Sequence, residues 1–234
     1  MFDFDGTVAV GDGPVLAYAS AVARRLAPAA ARDFLRDIET ALTHHREAGF
    51  GPEFLDGYDL VARRACSAGL SPSEVSEAYL CSRSLLGTAQ AAVTTPDGLA
   101  ELLRDLGRCV HIALVTNAPI VRLLGTLESL GVAERFDEVI YAAGKPSGLV
   151  PFAGQRLAVG RVLSVGDIWE NDLAPVAALG GDTALIGRPA PGIHPTFHAP
   201  TLAELAASIR AWASCASRPA HAPPPHRRGT PHAS

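Results

Sequence analysis

Met1-Phe2-Asp3-Phe4-Asp5-Gly6-Thr7 opens the chain and decides how the remainder is read. An apolar pair runs into Asp3, and Gly6 then lets the backbone turn sharply away. A buried parallel strand ends in this manner when it presents side chains at its carboxyl edge, where open α/β sheets place their ligands. Strand alternation points Asp3 and Asp5 the same way. Like charges that close are costly unless a cation or a shared proton relieves them. The plainer alternative is an exposed turn rich in Asp and Gly, so the meaning of the segment depends on its context.

The first part of that context is a shift in periodicity. From Asp12 to about Gly87 the pattern is helical, with Val15, Ala19, Val22 and Leu26 on one stripe and Phe34, Ile38 and Ala41 on another. Phe54, Tyr58, Val61 and Ala65 follow, then Val75, Tyr79, Ser82 and Leu86, all spaced as on a buried helix face. Stops are expected at Pro28, Gly49 and Gly69, and Ser71-Pro72-Ser73-Glu74 is a capping box. After Thr95-Pro96, a cap-plus-proline start, strands and helices alternate. Helix 99–106, strand 110–115, helix 120–130, strand 138–141 and a weaker helix 149–159 come first. Strand 161–165, helix 171–179, strand 182–186 and a last helix at 201–213 complete the series. Alternation of this kind implies a parallel sheet covered by helices on both sides. The opening strand belongs to that sheet, which makes the four-helix stretch an insertion. The expected organisation is an α/β core over residues 1–11 and 92–213, a helical insert over 12–91, and a tail over 214–234.

Composition narrows the class. With 234 residues and 48% apolar content, the chain can bury a substantial core. No apolar run approaches the ~18 residues of a membrane span, and no basic-then-apolar leader precedes Asp3. Cys66, Cys81, Cys109 and Cys215 lack CxxC spacing and read as thiols of a reducing cytoplasm. Residues 217–234 hold three Arg and no acid, which leaves 17 basic against 24 acidic residues elsewhere, a net charge of −7. That sign offers no footprint for nucleic acid. The tail has five prolines and three histidines and is expected to be disordered, since nothing in it can build a core. Of the 20 basic residues, Lys145 is the single Lys. It stands in the loop Gly144-Lys145-Pro146, where a compact ammonium differs from a planar guanidinium.

Four strand ends therefore hold the candidates for chemistry. The first carries Asp3 and Asp5. The second carries Thr116 and Asn117 before a helix expected to begin at Pro119 and Ile120; a hydroxyl and free N–H groups there form an anion site, or they simply cap the helix. The third leads to Lys145, which otherwise reads as a solvated loop charge. The fourth is Gly166-Asp167-Ile168-Trp169-Glu170-Asn171-Asp172. Its hard oxygen ligands suit Mg²⁺, and its alternative is a polar turn feeding a helix. His111, in an apolar strand, reads as core, and Trp169 as a pocket wall or a buried aromatic at a helix start.

Asp3-Phe4-Asp5-Gly6-Thr7, Thr116-Asn117, Lys145-Pro146 and Gly166-Asp167 with Asn171-Asp172 occur in the order that resembles the haloacid dehalogenase-like hydrolase superfamily. The resemblance covers roughly residues 1–213. It implies a Rossmann-like parallel-sheet core, a C1-type all-helical cap, a required Mg²⁺ and an aspartyl-phosphate intermediate. It also implies roles. Asp3 would be the nucleophile, and Asp5 the acid and base, with its backbone carbonyl facing the metal. Asp3 and Asp167 would hold Mg²⁺, and Asp172 would orient that site or bind Lys145. Thr116 and the Asn117 N–H would grip phosphoryl oxygens, while Lys145 offsets charge on nucleophile and phosphate. Dehalogenating members of the superfamily lack a second acid, so Asp5 argues for phosphate. Schiff-base phosphonate cleavage needs a cap Lys that is missing here. The expectation is a Mg²⁺-dependent phosphatase of a small soluble phosphomonoester, with a sugar phosphomutase and a non-catalytic phosphate-binding module as alternatives. Gly49-Phe50-Gly51-Pro52, flanked by His44, His45, Arg46 and Glu53, is the expected substrate-closing loop. Only Met1 and Phe2 precede Asp3 where relatives have a longer first strand, so either the given start is late or this strand is unusually short, and Pro175 is expected to alter entry to the helix after the last motif.

Overall fold

A computed structural model describes residues 1–48, 53–214 and 228–229. The chain divides into two compact units, one comprising Met1–Val10, Thr95–Ile120 and Leu127–Ser234, the other Gly11–Thr94 and Val121–Thr126.

The helical unit contains α1 (Gly13–Ala23), α2 (Pro28–Ala48), α3 (Gly57–Ser67) and α4 (Pro72–Arg83). Helix α1 is rich in alanine, and Ala17, Ala19, Ala21 and Ala23 are buried with Tyr18 and Val22. Small side chains let α2, α3 and α4 pack closely around it. Ile38, Leu60, Val61, Ala65 and Ala78 complete a core that excludes water almost fully. Two starts are locally specified. The Asp56 carboxylate accepts from the Asp59 N–H at 2.7 Å. Ser71 and Glu74 form the reciprocal capping box expected for α4. Pro28 opens α2 rather than closing α1, as suits a residue with no N–H to satisfy.

The α/β unit contains α5 (Leu99–Leu106), β1 (Ala113–Val115), β2 (Glu138–Tyr141), α7 (Leu149–Leu157), β3 (Leu163–Gly166), α8 (Ala174–Ala178), β4 (Asp182–Ile186), β5 (Phe197–Ala199) and α9 (Leu202–Ser214). Helix α6 (Leu123–Ser129) is divided between the two units after Thr126. The opening segment sits in the middle of the sheet as a minimal strand: Phe2 bridges in parallel to Leu114 on one side and Val165 on the other. Its N–H donates to Ala113 O at 2.8 Å, and the Asp3 N–H donates to Val165 O at 3.0 Å. The order is thus β2, β1, the Phe2 bridge, β3, β4, β5, all parallel. Arg228–Gly229 runs parallel beside β2. The strands of β1 and β3 are buried throughout, as two-sided helix cover requires.

Helix α5 spans the expected residues, with Gly98, left-handed at φ 74°, rather than Thr95 as its N-cap. Two boundaries differ from the periodicity, each for a physical reason. Helix α6 starts at Leu123 and not at Ile120, because Arg122 adopts φ 55°, which no helix tolerates. Arg122 Nε and Thr126 Oγ1 both donate to Leu86 O, which is why Val121–Thr126 belongs with the helical unit. The segment after β3 winds as a π-turn over Trp169–Leu173 before α8, with Pro175 in the first turn of that helix. Proline has no N–H to continue an α-helical ladder from the preceding turn. His111 is an exposed residue beside Asp137 and Glu138, not part of the core. Strand β5 was not foreseen from its short, proline-flanked sequence. No helix among the described residues is long and apolar enough to cross a membrane.

Candidate active site

Parallel strands aim their carboxyl ends at one edge, and four of those ends meet around Lys145. Its ammonium lies 2.5 Å from Asp3 Oδ1 and 2.5 Å from Asp172 Oδ1, although Asp3 and Lys145 are 142 residues apart. All three side chains are nearly sealed from solvent. Asp3, Asp167 and Asp172 each offer a carboxylate oxygen within 4.8 Å of the others. The four motif ends therefore converge, as alternation and strand order require.

The convergence is held by contacts that residue spacing does not reveal. Asn117 clamps the lysine loop: its Nδ2 donates to Lys145 O at 3.1 Å, and its Oδ1 accepts from the Lys145 N–H at 2.6 Å. The Lys145-Pro146 peptide is cis. Asp172 is held from three sides. Its Oδ2 accepts from the Ile168 N–H at 3.1 Å, its carbonyl accepts from Ser164 Oγ at 2.7 Å, and its Oδ1 meets Lys145. Ser164 was not singled out by the sequence, since a serine inside an apolar strand carries no motif. Thr116 is buried, and its Oγ1 accepts from the Ala118 N–H at 3.0 Å. That bond leaves the hydroxyl hydrogen to be donated elsewhere. Because α6 begins only at Leu123, no helix start lies directly behind Thr116 and Asn117; the expected anion site there reduces to the hydroxyl and loop N–H groups. Asp5 is half-buried, two residues beyond Asp3, and close enough to raise its proton affinity. The Gly49–Pro52 loop lies outside the described residues; beside it, His45 packs edge-on against Phe54.

Electrostatics follow from two carboxylates sharing one ammonium in a dry site. Burial, then the charge of Asp172, pushes Asp3 up to about 8, and the attraction of Lys145 offsets only part of this. Burial likewise raises Asp172 against the pull of Lys145. Burial by itself would lower Lys145, but Asp3 and Asp172 outweigh it and hold the ammonium charged. The lysine thus stays cationic while the carboxylates retain surplus proton affinity. A second cation would relieve that surplus. The donor set fits Mg²⁺: hard carboxylate oxygens from separate strand ends, with Lys145 occupying one oxygen each of Asp3 and Asp172 and Asp167 completing the cluster.

Gly6 makes this cluster sterically feasible. A β-carbon there would fall 2.2 Å from Asp167 Oδ2, and its φ of +81° is itself a glycine conformation. Size does not identify the site. A cavity of about 350 Å³ lies at the opposite, amino ends of β1 and β3, lined by His111, Ile112, Gly160, Val162 and Trp212 among others. It contains none of the carboxylates, and the chemistry sits instead where the strands finish.

No family model matches this sequence, and no curated protein does. Solved structures do. The magnesium-bound putative HAD-hydrolase YfnB from Bacillus subtilis aligns over 89% of this chain and 96% of its own, with TM-score 0.59 and 18% identity. The chain has the haloacid dehalogenase-like fold. A putative phosphoglycolate phosphatase from Lactobacillus plantarum aligns over 89% and 97%, with TM-score 0.58 and 17% identity. An L-2-haloacid dehalogenase from Xanthobacter autotrophicus aligns over 89% and 96%, with TM-score 0.53 and 15% identity. The haloacid dehalogenase-like fold thus comes with more than one chemistry, and the residues at the strand ends must distinguish them.

Proposed function

We propose that this chain is a Mg²⁺-dependent phosphatase that hydrolyses a small soluble phosphomonoester through an aspartyl-phosphate on Asp3. The observation that carries this reading is the seating of the buried Asp3 carboxylate against Lys145 and within the Asp167–Asp172 cluster. The helical unit would be the C1-type cap.

Asp3 and Asp167 would hold Mg²⁺, together with the backbone carbonyl of Asp5. When bound, the ion supplies positive charge that lets a carboxylate approach a phosphate dianion. Lys145 adds a fixed positive charge on the same nucleophile and holds Asp3 in one orientation. In the first step an Asp3 carboxylate oxygen bonds to phosphorus as the bond from phosphorus to the alkoxy oxygen breaks. Asp5 gives its proton to that leaving oxygen. In the second step Asp5 takes a proton from water as the water oxygen bonds to phosphorus. The bond from phosphorus to Asp3 breaks, and inorganic phosphate leaves. Proton transfer of this kind contributes about 10²–10⁴-fold, and splitting one displacement into two lowers each barrier. Thr116 would donate its hydroxyl hydrogen to a phosphoryl oxygen, with the Asn117 N–H beside it. Asp172 keeps Lys145 in place, and positioning of this sort is most of what phosphoryl transfer needs.

Asp5 favours phosphate over halide, because halide departs without a proton. A sugar phosphomutase uses the same residues and is the second reading. A panel of phosphomonoesters with Mg²⁺, comparing wild type with Asp3→Asn, tests the proposal. Release of free phosphate by wild type alone is the expected result. Interconversion of phosphorylated isomers without phosphate release would replace the phosphatase with the mutase. A folded protein with neither activity would leave a phosphate-binding module.

A further inference from the structure

We propose that Gly166 is a positioning residue: the space left by its missing β-carbon is what seats Asp172 against Lys145. Gly166 is the last residue of β3 and is buried. Its backbone lies outside the left-handed region, so conformation alone would admit any residue. Space does not. A β-carbon at this position would fall 2.5 Å from Asp172 Cβ, 2.6 Å from Oδ2 and 2.8 Å from Cγ.

The atom first met decides the consequence. Asp172 Cβ cannot swing aside by a rotamer change, because it is bonded directly to the main chain. That main chain is anchored in turn: the Asp172 N–H donates to Ile168 O at 2.9 Å, and its carbonyl accepts from Ser164 Oγ. Ala at 166 must therefore displace the whole 168–172 turn and carry the carboxylate off the Lys145 ammonium. Lys145 would then be held by Asp3 alone, and the ammonium and Asp3 would shift together. Gly6, the other glycine beside a site carboxylate, is already required by its turn. Gly166 isolates the steric effect.

The catalytic consequence rests on the phosphatase reading, and the structural consequence does not, so three measurements separate them. A crystal structure of Gly166→Ala should place Lys145 Nζ and Asp172 Oδ1 beyond ion-pair reach, more than about 4 Å apart; retention of the contact overturns the proposal. With a phosphomonoester substrate, kcat should fall about 10²-fold while KM stays within about twofold, since misplacement of about 1 Å costs that much. An unchanged kcat overturns it even if the phosphatase reading stands. If wild type turns over no phosphomonoester, the phosphatase reading fails and the crystallographic arm still decides. In an Asp172→Gly background, which removes the clashing β-carbon, Gly166→Ala should lower Tm far less than in wild type. An equal loss in both backgrounds overturns the proposal. Should Gly166→Ala not fold alone, recovery of folding by adding Asp172→Gly supports it, and failure to recover overturns it.

Discussion

At the scale of single residues, the site is a contest between burial and charge. Asp3 has its pKa raised from the ordinary carboxylate range to about 8, chiefly by burial and by Asp172. A raised carboxylate contributes stability that is complete below its unfolded pKa, near 4, and is lost as pH rises through the folded value. In EDTA, the Tm of wild type should therefore drop relative to Asp3→Asn between about pH 4 and pH 8. A difference that stays flat across that window would contradict the charge arrangement described above. Asp172 carries the same sign, so it cannot mask the effect. Gly6→Ala should push Asp167 off the cluster and strain a turn at φ +81°. The expected result is at least about tenfold weaker Mg²⁺ binding by isothermal titration, with a left-handed penalty of about 1–2 kcal/mol in stability. The meeting of Asp3 and Asp167 was legible because charged residues at strand ends are conspicuous. Ser164 was not, and Gly166 was legible as a motif member but not in its steric role, since both roles depend on the position of Asp172, six or more residues downstream.

At the scale of elements, capping chemistry was readable and main-chain interruptions were not. Ser71 and Glu74 satisfy N–H groups at the start of α4, an arrangement that four consecutive residues suffice to specify. Ser71→Ala should lower stability by about 1 kcal/mol in urea denaturation, with kcat unaltered; a loss of activity at unchanged stability would mean that α4 matters beyond packing. The start of α6 shows the opposite case. Apolar spacing runs unbroken from Ile120, yet Arg122 turns left-handed and donates to Leu86 O, which is distant in the chain. No periodicity encodes the π-turn at Trp169–Leu173, although Pro175 did signal the altered entry to α8.

At the scale of the whole molecule, the testable consequence is coupling between cation and fold. A ligand that binds only the native state stabilises it by mass action, about 2.7 kcal/mol at a hundredfold excess over Kd. Mg²⁺ should accordingly raise the Tm of wild type, and the Asp3→Asn, Asp167→Asn double variant should not respond; equal shifts in both would place the ion elsewhere. The sequence by itself determined the types and order of most elements, β5 excepted, the burial of the central strands and the collection of acids at strand ends, because periodicity reports which face of an element is apolar. Only the tertiary structure decided that Lys145 lies between Asp3 and Asp172, that Asn117 clamps the lysine loop, that Val121–Thr126 joins the helical unit, and that Gly166 leaves room for a carboxylate. Those facts join residues far apart in the chain, and their distances are set by strand register and close packing, which no local pattern of side chains contains.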